Sequence, residues 1–90
     1  MDKENIKFND NISYAIDTIG VAIINKEDNR HFFLHYPDAA VFSVLVENNN
    51  VKKSKEILQA VLGKNKPETS RFVDDIIANW KDQKIIRTDG

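Results

Sequence analysis

The stretch Arg30-His31-Phe32-Phe33-Leu34-His35-Tyr36-Pro37-Asp38-Ala39-Ala40-Val41-Phe42 changes its period part-way along, and that change decides the fold. Up to Tyr36 the residues alternate. Phe32 and Leu34 share one face, and His31, Phe33 and His35 share the other, as in a β-strand. Pro37 ends the alternation. Proline suits a first helical turn, where its missing N–H has no partner to lose. Asp38 places negative charge near the positive end of the helix dipole. Val41, Phe42 and Leu45 then recur at helical spacing. Strands are expected before Pro37 and helices after it.

Toward the N-terminus, Ile12, Tyr14 and Ile16 alternate with Ser13, Ala15 and Asp17, a half-buried strand. Val21 to Ile24 is a β-branched run after Gly20 and reads as a second strand. The polar residues Lys26 to Arg30 form a turn into the third, His31 to Tyr36, and such short connections favour an antiparallel meander. Toward the C-terminus, Asn48-Asn49-Asn50 ends the first helix. Ser54 is expected to cap a second helix with Ile57, Leu58, Val61 and Leu62 inward, which Gly63 stops. A third starts near Pro67, with Phe72, Val73, Ile76, Ile77 and Trp80 as its buried stripe. Ile85 and Ile86 form a short extended end. The expected order is βββααα, an α+β fold with a three-stranded antiparallel sheet followed by a three-helix bundle. Residues 1–90 are read as one domain, with 1–11 as a flexible arm.

Ninety residues support one core but no deep enclosed active site. Apolar residues at 41% and charged residues at 30% describe a globular chain, and a net charge of −1 lacks the basic excess of a nucleic-acid binder. With no cysteine, thiolate chemistry, disulfides and cysteine metal sites are excluded. His31 and His35 would sit roughly 13 Å apart on a strand, too far to share a metal. Asp74 and Asp75 diverge by about 100° on a helix. The glycines at 20, 63 and 90 make no phosphate loop. The reading is of a protein that is no enzyme and has no cofactor. Polar residues from Met1 to Asp10 do not resemble a signal peptide, no apolar run is long enough to span a membrane, and a cytoplasmic location is expected.

Two segments resemble the PqqD-like family, the recognition elements of ribosomally made, post-translationally modified peptides. Leu34-His35-Tyr36-Pro37-Asp38-Ala39-Ala40-Val41-Phe42 is similar to the family's Leu-Asn entry into its first helix, with His35 in place of Asn and Phe42 where Trp is common. Val73-x-x-Ile76-Ile77-x-x-Trp80-x-x-x-Lys84-Ile85 is similar to the family's C-terminal pattern, with Lys84 in place of a frequent Gly and Trp80 in place of a frequent Leu. The resemblance covers roughly residues 12–87 and implies a winged-helix-like fold. It also implies that a precursor's leader peptide adds as a strand to the open edge of the third strand, its side chains lying between that strand and the third helix. An unpaired edge templates another strand, and pockets for alternate side chains supply selectivity.

The peptide-binding residues expected on this basis are Arg30, His31, Phe32, Phe33, Leu34 and His35 on the strand, and Arg71, Asp75, Ile76 and Asn79 on the helix. Arg71 and Lys81 are expected to pair with acidic leader side chains. Against these stand plainer readings: Phe33 packed on an arm through Ile6 and Phe8, Trp80 as core, and Arg71, Asp75 and Asn79 as a solvated helix face. A maturation enzyme such as a radical enzyme, a cyclase or a protease is an expected second partner, and the free edge also suits a homodimer. No nucleic acid and no membrane are expected as partners. The alternative is a helix-turn-helix DNA-binding regulator built on the second and third helices. Lys52, Lys53, Lys55, Lys64 and Lys66 favour it. Against it, Glu68, Asp74, Asp75 and Asp82 outnumber Arg71 and Lys81 on the would-be recognition helix, a net of −2. Too few residues follow that helix for a wing hairpin.

Overall fold

The computed structural model describes residues 5–88. Five strands and three helices follow in the order β1 (Ile6–Phe8), β2 (Ile12–Asp17), β3 (Gly20–Asn25), β4 (Arg30–Leu34), α1 (Asp38–Asn48), α2 (Val51–Leu62), α3 (Lys66–Asp82) and β5 (Ile86–Thr88). β2, β3 and β4 form an antiparallel meander in that spatial order, and the three helices follow it. The α+β arrangement read from the sequence is therefore present, with winged-helix topology.

The expected arm is corrected between Ile6 and Phe8. These residues form a strand paired antiparallel with β5, with Phe8 opposite Ile86. Ile6 is buried, and the Phe8 ring lies 5.0 Å from that of Phe42 and 6.2 Å from that of Tyr14. Met1–Glu4 lie outside the described residues. A three-residue strand is too short to show a period, and its partner comes from the far end of the chain. The third strand ends at Leu34, two residues earlier than read, and Pro37 is the residue before α1 rather than its first turn.

The core gathers Val21 and Ile23 of β3, Val41, Phe42 and Leu45 of α1, Leu58 of α2, and Val73, Ile76, Ile77 and Trp80 of α3. Trp80 is core, its ring meeting Phe42 edge-on at 5.5 Å. Phe32 and Leu34 of β4 and Phe72 of α3 pack against this cluster half-buried.

Two expectations for α2 are also corrected. Its cap is Asn50, whose side chain accepts from the Lys53 N–H at 2.9 Å, while Ser54 lies a turn inside the helix and is buried. Two stripes of i, i+4 spacing run along α2, Ser54-Leu58-Leu62 and Ile57-Val61. The first faces the bundle, leaving Ile57 38% and Val61 47% exposed. α3 begins with a capping box in which the Asn65 side chain accepts from the Glu68 N–H at 2.9 Å and Glu68 reaches back to the Asn65 N–H.

Candidate peptide-binding edge

β4 is an outer strand, and the register fixes which of its peptide groups are unused. Asp17 and Gly20 stand opposite each other across a two-residue loop. A pair that closes so short a hairpin exchanges its backbone hydrogen bonds, and such pairs alternate with non-bonded ones. Ala22 and Ile24 therefore also aim their peptide groups at β2, and Val21, Ile23 and Asn25 aim theirs at β4. The β4 partners of those three are Leu34, Phe32 and Arg30. In keeping with this, the Leu34 carbonyl oxygen lies where a Cβ on Gly20 would stand. What remains facing outward is the N–H and C=O of His31 and Phe33. His35, next in the alternation, keeps its N–H, while its carbonyl accepts from Ala39 N–H at 2.9 Å. Among the described residues none pairs with the His31 and Phe33 groups.

The side chains alternate as the sequence implies. Phe32 and Leu34 turn toward the core, and His31, Phe33 and His35 lie exposed on the outer face of the sheet. Phe33 is 45% exposed, and the Phe8 ring pairs with Tyr14 and Phe42 rather than with it. The Phe33 ring lies edge-on to that of His35 at 4.8 Å and above Gly20, where a Cβ would meet it at 2.8 Å.

Arg30 anchors the start of the edge. Its guanidinium donates to the Gln83 side chain at 2.9 Å and to the Gln83 carbonyl at 3.3 Å, pairs with Asp28 at 2.8 Å, and lies 5.4 Å from the centre of the Phe32 ring. Desolvation pushes the Asp28 carboxyl up, but the hydrogen bonds and charge of Arg30 outweigh it and hold the group below the usual carboxylate range. The bonds to Gln83 tie the first residue of β4 to the end of α3. Gln83 carries no sequence signal that separates it from other surface glutamines.

Taking Gln83 as the direction of β4, helical rotation of about 100° per residue orders the rest of α3. Phe72 and Ile76 lie within about 20° of that direction, Asn79 about 40° and Asp75 about 80° toward solvent, and Arg71 about 120°. Ile76 is buried in the core cluster, while Arg71, Asp75 and Asn79 are exposed. On this rotation Ile76 and Asn79 turn toward the β4 side of α3, Asp75 lies further toward solvent, and Arg71 turns away. Phe72 packs half-buried against the core, as read from the sequence, and by the same rotation shares the Ile76 side of the helix. A depression of about 210 Å³ between the β2–β3 turn and α1 is lined by Ile19, Gly20, Tyr36 and Ala40 and involves none of these groups.

Two solved structures share this fold. The first, TbiB1 in complex with the TbiA(beta) leader peptide, superposes with a TM-score of 0.85 at 15% identity, covering 93% of this chain and 98% of that one. This chain has the PqqD-like fold. The second, lasso peptide synthetase B1 complexed with the leader peptide, gives a TM-score of 0.81 at 12% identity, covering 92% and 98%. No family model and no curated protein matches the sequence. The PqqD-like likeness therefore lies in backbone geometry. Among the described residues no three histidines, aspartates or glutamates gather as metal ligands, and no helix is long and apolar enough to cross a membrane.

Proposed function

We propose that this domain captures the leader segment of a ribosomally made precursor peptide by strand addition to β4 and presents it to a modifying enzyme, without being a catalyst itself. The observation that carries the reading is the free edge: His31 and Phe33 offer complete sets of unpaired peptide groups on the outer side of β4. The two structures of the same fold were both solved with a leader peptide, which supports the same use here. Main-chain pairing supplies affinity that is largely indifferent to sequence, and side chains entering beside Phe72 and Ile76 supply selectivity. The enzyme partner, a radical enzyme, a cyclase or a protease, belongs to this proposal, as do a cytoplasmic setting and self-pairing at the same edge in the absence of peptide.

Proline at position 33 tests the docking site. The ring removes the outward N–H of Phe33 and occupies the space a pairing strand needs, while the inner bonds of Phe32 and Leu34 to β3 remain. Phe33→Pro is expected to stay folded by circular dichroism and to weaken binding of the leader encoded beside the gene by about tenfold or more. In an NMR titration, wild-type shifts should concentrate on 31–35 and 72–83. Wild-type affinity in the folded variant would remove β4 from the mechanism. Shifts on 52–66 with duplex DNA that fade as salt rises, and none with peptide, would move the protein to the DNA-binding class.

A further inference from the structure

The β4 edge sets where a peptide backbone runs, and the flank of α3 beside it sets which side chains that peptide can carry. The flank is apolar at its base and acidic at its rim. Phe72 and Ile76 form the base. Beyond them toward solvent stand Asn79, Glu68 and Asp75, about 40°, 60° and 80° from the direction of Gln83. The opposite flank is already occupied, since Lys55 of α2 bonds Ser70 at 2.9 Å and Asp74 at 2.8 Å.

Among the described residues no cation is paired with this rim. Among the described residues the ion pairs are Arg30–Asp28 and Lys55–Asp74. Arg71, one turn before Asp75, is rotated about 40° further into solvent and makes no ion pair with it. Lys81 lies about 160° from Gln83, on the far side of the helix. Arg30 is held by Asp28 and Gln83, and His31 and His35 stand on the outer face of the sheet rather than in the cleft.

The spacings also correspond. A peptide added to β4 sends every second side chain into the cleft, about 6.7 Å apart, and residues four apart on α3 are separated by about 6 Å along its axis. Successive cleft-facing side chains therefore meet successive turns of the helix. We propose that the site takes cationic leader segments, in which an aliphatic or aromatic side chain packs on Phe72 and Ile76 and a lysine or arginine within two residues reaches Asp75. This rests on the docking of a peptide at β4. It reverses the sign expected from Arg71 and Lys81, because rotation around α3 turns both away from the cleft.

A displayed library of random twelve-residue peptides, sorted against the immobilised domain at low salt, tests both readings. Binders lost on Phe33→Pro should alternate apolar residues and be enriched in lysine or arginine. Asp75→Lys should weaken synthetic copies of them about fivefold, with Asp75→Asn intermediate and the wild-type difference shrinking as salt rises. Sorting against Asp75→Lys should enrich aspartate and glutamate instead. Edge-dependent binders without basic enrichment, indifferent to Asp75→Lys, would overturn the charge preference and leave strand addition standing. Recovery of no binder sensitive to Phe33→Pro would overturn the docking site and the preference together.

Discussion

Phe33 rests where a side chain on Gly20 would begin. Gly20 has φ 157°, a conformation side chains rarely adopt, and a Cβ there would run into the Leu34 carbonyl as well as the Phe33 ring. Gly20→Ala is therefore expected to cost about 2–3 kcal/mol, read as a lower midpoint in urea, and to move Phe33 and the β4 edge with it. A variant as stable as wild type would mean that the turn yields easily. Lys84 shows the same physics at a residue that is not glycine. Its φ of 62° lies in the left-handed region, and a lysine there carries strain that the glycine common in PqqD-like chains avoids. The sequence showed the departure at Lys84, and only the backbone angle explains the glycine.

Helix α2 was legible in its existence and its stop but not in its start or its facing. Three asparagines precede it, and the sequence does not say that Asn49 takes the left-handed position ending α1 while Asn50 caps α2. The two candidate caps give opposite expectations. Asn50→Ala removes an acceptor from the first turn and is expected to cost about 1 kcal/mol. Ser54→Ala removes a buried hydroxyl that has no hydrogen-bond partner and is expected to be neutral or stabilising by up to about 1 kcal/mol. Thermal melts of the pair decide the point, and a destabilised Ser54→Ala beside an unchanged Asn50→Ala would restore the sequence-based cap. The meander fared better because two-residue alternation and short turns are local properties, and the edge position of β4 follows from them.

At the scale of the molecule, β1 and β5 close the chain on itself. Ile6 and Ile86 are buried against the same core, Asn9 N–H donates to the Ile85 carbonyl at 3.0 Å, and the Asn9 side chain donates to the Lys84 carbonyl at 2.7 Å. Removing residues 1–8 strips the buried Ile6, the Phe8 ring and the pairing of β5. A loss of about 3 kcal/mol is expected, lowering Tm by on the order of 15 °C. A truncated chain melting with wild type would return these residues to the status of an arm. Charge is also divided at this scale, with lysines around α2 and an acidic excess on α3, a separation the net charge of −1 conceals.

The sequence by itself determined the α+β class, the meander, the stops of the helices and the strand that forms the edge, because each is written in contacts between near neighbours. Only the tertiary structure decided that β1 answers β5, which stripe of α2 faces the bundle, and that Gln83 receives Arg30. Those depend on how elements rotate against one another, and a helix with two apolar stripes, or a three-residue strand, carries too little local pattern to fix that rotation.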